Sequence, residues 1–322
     1  MTAKQRLNGL LDEAAAHRDA GDYAAARAIL ESLAEDAERE VMGPTTSLGL
    51  PRRLHSAMLK LAKAENDPLK RIGYQYHLVP PPRTLAKYAE FTTAERRSIA
   101  DANRQPVPPI IHQIWIGSPN APVSTLAWAE HAKHQGYGYR LWREADLKEA
   151  GIDDNPVFQD MMARGDFPGA VDVARYVILE QEGGIYLDCD WYPARNDISF
   201  HDLLPMTGLV AMPEDIPRNI GFGSLLLANS FIVTPPHHPV FTKLNAVLGS
   251  VIADMPGAPA WWATGPLIFS LICRGGSVAI TDAGFVAGSL GRNVPLEDVK
   301  AFCRTSEARD GGLLLAWKSW GG

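Results

Sequence analysis

The chain has 322 residues, 46% of them hydrophobic. It can bury a sizeable core, and its length suits one large α/β domain with an appendage, or two domains. Its 31 Lys and Arg against 37 Asp and Glu leave a net charge of −6, which gives no basic field for a polyphosphate backbone and excludes nucleic acid as an expected partner.

Met1 to Asp12 is charged and amphipathic and lacks the apolar centre of a signal peptide. No later stretch reaches the roughly 18 to 20 uninterrupted apolar residues of a spanning helix. The expectation is a soluble, cytoplasmic protein without a transmembrane segment; peripheral membrane association, or export by a route without a classical signal, stays open. Cys189, Cys273 and Cys303 are too few and too scattered for a zinc ribbon or a disulfide framework, which fits a reducing compartment.

From Leu7 to Ala37 apolar residues recur at helical spacing, with Gly21-Asp22 as the break. This predicts a helical hairpin in which AGDYAAARAILESLAEDA looks like the second half of a tetratricopeptide repeat, but a single copy cannot stack into a solenoid. A basic amphipathic segment, Arg52 to Arg71, reads as a helix with a solvated face. Val79-Pro80-Pro81-Pro82 and Gln105-Pro106-Val107-Pro108-Pro109 are stiff punctuation. The second divides an expected helical region, 1–105, from an expected catalytic domain, 106–322.

Ile110 to Gly117 is a nearly continuous apolar run of strand length, as a strand covered on both faces requires. Strand-like segments follow at Tyr139 to Trp142, Ile185 to Cys189, Gly208 to Met212 and Phe231 to Thr234, alternating with helical ones, which predicts an α/β layered sheet. Ala279 to Pro295 carries no readable pattern. His237 and His238 lie in a Pro-bounded loop and read as a structural turn.

The most informative window is GAVDVARYVILEQEGGIYLDCDW, Gly169 to Trp191. A helix carrying Val173, Tyr176, Val177 and Leu179 stops at Gly183-Gly184. Asp172 and Arg175, three apart, share one face of it; taken alone, such a pair is an ordinary surface ion pair. In the strand that follows, alternation puts Tyr186, Asp188 and Asp190 on one side and Ile185, Leu187 and Cys189 on the other. Two adjacent carboxylates repel unless one is protonated or a divalent cation joins them, and oxygen ligands suit Mg²⁺ or Mn²⁺. A bare Asp-x-Asp is also a common solvated strand end, and it opens the phosphatase motif of the haloacid dehalogenase type. Here Trp191 follows, and the motif lies in mid-chain. No Ser, Cys or His triad is visible.

PIIHQIWIG at Pro109 to Gly117, the Asp-x-x-Arg-Tyr helix, Gly-Gly-Ile-Tyr and Asp-Cys-Asp occur together in the order found in the DXD-motif sugar transferases. From Pro108 to the C-terminus the chain resembles glycosyltransferase family 32, which includes initiating mannosyltransferases and is similar in its core to large glucosylating cytotoxins. Weaker agreements are NSFIVTPPHHP at Asn229 to Pro239, Thr264-Gly265-Pro266 and the terminal Ser319-Trp320.

The resemblance implies a GT-A-like mixed sheet flanked by helices, behind an N-terminal helical region, that binds a UDP-sugar or GDP-sugar with Mn²⁺ or Mg²⁺. It implies a retaining transfer to a glycan or other small acceptor, as in bacterial polysaccharide assembly; the alternatives are a protein-modifying, effector-like glycosyltransferase or a catalytically weak interaction protein on the same fold. Trp115 matches the aromatic that stacks on the base, with Ile116 and Gly117 beside it, although a core tryptophan is the plainer alternative. Asp172 and Arg175 match the donor-sugar contacts, Tyr186 the neighbour of phosphate or ribose, and Asp188 the ribose or sugar side. Asp190 matches the direct metal ligand, with Asp188 and Ser319 as candidate partners, and Ser319-Trp320 matches a flap closing on metal and donor. Two departures stand out: Val171 replaces the usual Ser, and Leu313 to Ala316 holds neither the acid nor the histidine expected before the terminal Ser-Trp.

Overall fold

A computed structural model describes residues 2–78, 82–118, 120–214, 226–292 and 294–320. Most of the Val79-Pro80-Pro81-Pro82 run lies outside them. The chain divides into two compact units, residues 1–86 with 214–226, and residues 87–213 with 227–322.

The first unit is helical. Helix α1 (Ala3–Asp19) opens on a capping box between Thr2 and Gln5, and α2 (Tyr23–Glu35) on the Asp22 side chain, which accepts from the Ala25 amide. Between them Gly21, at φ 80°, turns the chain back. Leu7, Leu11, Leu30 and Leu33 from this hairpin meet Leu54, Met58 and Leu61 of α3 (Arg52–Ala64) in one apolar cluster. The basic segment from Arg52 to Arg71 is not one helix. Asn66 adopts φ 55° and Asp67 caps a new helix, α4 (Pro68–His77), at the Lys70 amide. A short helix, α5 (Pro82–Leu85), follows.

The second unit begins with α6 (Thr93–Ala102), then β1 (Ile110–Ile114), α7 (Val123–Gln135), β2 (Gly138–Trp142), α8 (Glu144–Glu149), α9 (Pro156–Ala163), α10 (Phe167–Glu182) and β3 (Gly184–Leu187). It continues through β4 (Trp191–Pro193), α11 (Phe200–Leu203), β5 (Val210–Pro213), β6 (Leu227–Thr234), α12 (Pro239–Asp254), α13 (Ala260–Ala263) and α14 (Pro266–Gly275). Last come β7 (Ala279–Ile280), β8 (Val286–Ser289), α15 (Leu296–Ala308) and β9 (Leu314–Ala316). Six strands form one sheet in the order β2-β1-β3-β6-β5-β7. Only β6 runs against its neighbours β3 and β5, while β1 is parallel to both β2 and β3. The architecture is therefore the expected α/β one, with a mixed sheet and flanking helices.

Ile111, Ile185, Leu187, Phe231 and Val233 from the inner strands pack with Trp128, Phe200 and Phe285 in the main core. Because β1 and β3 are parallel neighbours, their carboxyl ends open side by side, which is where open α/β sheets present ligands. The segment unread in sequence, Ala279 to Pro295, supplies the edge strand β7 and then β8. With β4 and β9, β8 makes a small second sheet, in which β9 is antiparallel to β4 and parallel to β8.

Candidate active site

Helix α10 starts at Asp166, whose side chain accepts from the Gly169 amide, and ends at Gly183. Gly183 sits at φ 65°, and a Cβ there would lie 2.5 Å from the Pro236 nitrogen, so a glycine is needed to drop the chain directly into β3. The strand is shorter than its alternation suggests. It ends at Leu187, and the Trp191 amide donates to the Asp188 carbonyl at 3.2 Å, closing a turn. Tyr186 and Asp188 do share a side, since the Tyr186 hydroxyl donates to Asp188 Oδ1 at 2.7 Å. Asp190 is presented by the turn instead. The strand pattern fails there because the ladder to β6 runs out at Phe231.

Asp172 and Arg175 are not a surface pair: they are 6% and 3% exposed. Arg175 Nη2 lies 3.1 Å from Asp172 Oδ1 and 3.1 Å from Asp188 Oδ1, bridging α10 to the end of β3, with its guanidinium over the Tyr186 ring. The Asn229 amide on β6 donates to Asp172 Oδ1 at 2.7 Å and to the Tyr176 hydroxyl at 3.0 Å. The Thr264 hydroxyl donates to Asp172 Oδ2 at 2.9 Å. Both oxygens of Asp172 are thus engaged by protein donors. Even so, burial lifts its pKa to about 6, against the pull of Arg175 and Thr264. Asn229 and Thr264 were legible only as members of family-like segments; their place in the site comes from the fold. Gln113 also joins it, donating to the Asp188 carbonyl at 3.3 Å while accepting from the Tyr139 hydroxyl at 2.9 Å.

The C-terminal strand returns to the same place. Its pairing with β4 continues into a bond from the Trp317 amide to the Asp190 carbonyl, 2.8 Å, so residues 317–320 are pinned beside the acidic turn. The Trp320 ring meets Trp115 edge-on at 5.0 Å between centroids. Trp115 is thus partly exposed at a cavity rather than sealed in the core. That cavity, about 540 Å³, is walled by Trp115, Phe167 and Trp320 and carries Arg175, Asp188 and Asp190. Ile116 and Gly117 line it too. Gly117 has φ 79°, and a Cβ there would lie 2.9 Å from the Phe167 ring, so this glycine lets Phe167 close one wall. Val171, the departure from Ser, also faces the cavity, while Asp172 and Tyr186 are set behind it.

Burial, and then the neighbouring Asp188, raise the Asp190 pKa to about 6. Two crowded carboxylates of this kind are what a hard divalent cation relieves. Ser319 Oγ is buried and has no hydrogen-bond partner among the described residues. Among the described residues no group of three His, Cys, Asp or Glu side chains could hold a metal. Asp188 and Asp190 line the cavity and supply the hard oxygens that suit a Mg²⁺ or Mn²⁺ completed by water and phosphate. Leu313 to Leu315 are fully buried apolar residues and add nothing to it.

The histidines stay out of this chemistry. His112 Nδ1 accepts from the Trp142 indole at 3.1 Å, its Nε2 faces the Gly183 carbonyl at 3.1 Å, and burial drops its pKa to about 4. His238 is buried at the start of α12, facing Asn103 Oδ1 at 3.1 Å, as the turn reading expects. Cys189, Cys273 and Cys303 are free thiols. Among the described residues no helix is long and apolar enough to cross a membrane.

Residues 123–206 match the family described as "Glycosyltransferase sugar-binding region containing DXD motif". The chain is 28% identical over 182 residues to mannosyl phosphorylinositol ceramide synthase of Saccharomyces cerevisiae, covering 53% of this chain and 42% of that protein. It therefore spans less than half the length of that relative. Among solved structures, PaToxG glycosyltransferase is similar, at 16% identity and a TM-score of 0.41, over 60% of this chain and 78% of the other. The matched family region contains the acidic turn and the helix that faces it.

Proposed function

We propose that the chain moves a hexose from a nucleoside diphosphate sugar to a glycan or other small acceptor, with retention of anomeric configuration and with Mn²⁺ or Mg²⁺ bound. The observation that carries this reading is the pair Asp188 and Asp190 at an aromatic-walled cavity of about 540 Å³ that also holds the Arg175 guanidinium. Trp115 offers a flat face to the base, and Asp188, Asp190 and Ser319 hold the cation. A divalent cation so held neutralises the donor's diphosphate.

Arg175, fixed by Asp172 and Asp188, orients the donor at the cavity wall; Tyr186 and Gln113 keep Asp188 aimed. In this reading Asp172 reaches the sugar only by exchanging a bond to Asn229 or Thr264 for a sugar hydroxyl. Catalysis is then chiefly positioning and electrostatics. The yeast relative's name describes a mannosyl group on a phosphorylinositol lipid, and a polyol hydroxyl of that kind falls within the acceptor class proposed here. The transferase domain is proposed at 106–322 behind a helical region at 1–105, the last part of which, residues 87–105 with α6, groups with the second compact unit.

The test is a melting-temperature panel of UDP- and GDP-sugars, each with Mn²⁺, with Mg²⁺ and with a chelator, since a ligand of the native state raises apparent stability. At least one donor should raise the melting temperature only with metal. That donor should be slowly hydrolysed to a nucleoside diphosphate, and Asp190→Ala should abolish both effects with folding intact. No shift with any donor would refute the reading.

A further inference from the structure

Among the described residues, the charged side chains lining the cavity are Arg175, Asp188, Asp190 and Lys318. Arg175 is already committed to Asp172 and Asp188. Lys318 makes no ion pair among the described residues. Its ammonium sits 5.0 Å from the centroid of the Trp320 ring, at the edge of the cavity. The backbone on both sides of it is anchored. Trp317 is 5% exposed, packs edge-on against Tyr192 and donates its amide to Asp190, while the Trp320 ring meets Trp115. Lys318 is also close enough to pull against the rise of the Asp190 pKa. A long, strongly hydrated ammonium at the mouth of this site, near Asp190 but in no direct ion pair among the described residues, is free to take a ligand anion.

The sequence around it points the same way. Leu313 to Leu315 turn apolar side chains inward, so the strand preceding the flap supplies no charge to the cavity, and the flap's own charge is the cation Lys318. We infer that Lys318 is a ligand of the donor's diphosphate, a resident cation that binds the phosphates whether or not a metal is present. This rests on the function proposed above and deepens it.

In the transfer, the bond between the sugar's C1 and the β-phosphate oxygen breaks and its electron pair goes to that oxygen. The acceptor hydroxyl oxygen forms the new bond to C1, and its proton passes to the departing diphosphate. Negative charge grows on the phosphates, where the ammonium stands.

The experiment titrates the full chain by calorimetry with UDP and with GDP, in chelator and again with Mn²⁺, using wild type, Lys318→Met and Lys318→Arg. In chelator, wild type should bind one of the diphosphates, with an affinity that falls as salt rises. Lys318→Met should weaken this about tenfold, and Lys318→Arg should restore most of it. Melting temperatures, and binding of the matching nucleoside where it is measurable, should be unchanged. Equal diphosphate affinity for wild type and Lys318→Met in chelator would overturn the inference, as would binding by wild type only with Mn²⁺. In both cases the proposed function would stand, whereas absence of diphosphate binding under every condition would remove both.

Discussion

Asn229→Asp replaces one atom group by another of the same shape at the centre of the buried network, which makes its cost electrostatic and pH-dependent. The native amide donates to Asp172 Oδ1 and to the Tyr176 hydroxyl; a carboxylate can donate to neither. With both acids ionised and a few ångströms apart, repulsion at an effective dielectric near 20 is about 4 kcal/mol. The alternative is a proton retained between them. The native state then binds one proton more than the unfolded chain, so the variant loses stability as pH rises, by about 1.4 kcal/mol per unit. The loss should grow from about 1 to 2 kcal/mol at pH 5 toward the 4 kcal/mol ceiling by pH 8. Urea denaturation of wild type and variant at pH 5, 6.5 and 8 measures it. A stability difference that is the same at all three would show that Asp172 does not sit in the enclosed, ion-paired environment described here.

Three further expectations follow from the same geometry. Asp190→Asn should stabilise the metal-free protein by up to about 3 kcal/mol above pH 7, because it removes a half-buried carboxyl whose pKa is raised from 3.8 to about 6. A raised pKa in the folded state favours folding below 3.8 and loses that contribution as pH climbs through 6, so the gain should vanish by pH 4; an equal gain at both pH values would contradict it. For the same reason Mn²⁺ must displace protons below about pH 6, and its apparent affinity, read by calorimetry, should fall on acidification through that range. Gly183→Ala should cost at least 2 kcal/mol in thermal unfolding, since it adds a Cβ 2.5 Å from the Pro236 nitrogen at a positive φ; a loss below about 0.5 kcal/mol would mean that the helix-to-strand corner relaxes freely.

What could be read from the sequence was what is encoded within a few residues. The helical hairpin was legible because its caps and its Gly21 turn are local, and so was the helix-stop-strand passage from Asp172 to Asp188. The limit is seen one residue pair later: alternation carried Asp190 onto the strand, whereas the end of the β6 ladder, a nonlocal fact, makes it part of a turn. The partners of Asp172 show the same limit more sharply. Asn229 and Thr264 lie 57 and 92 residues away, and they meet the carboxylate only because β6 runs antiparallel beside β3 and α14 begins against α10. Composition could not distinguish a surface ion pair from this buried one, since both need the same Asp-x-x-Arg spacing. What separates them is the number of donors that the sheet order brings within reach. A buried acid with that many donors is held in one orientation, so the fold fixes the direction of Arg175, and through it Asp188, before any ligand arrives.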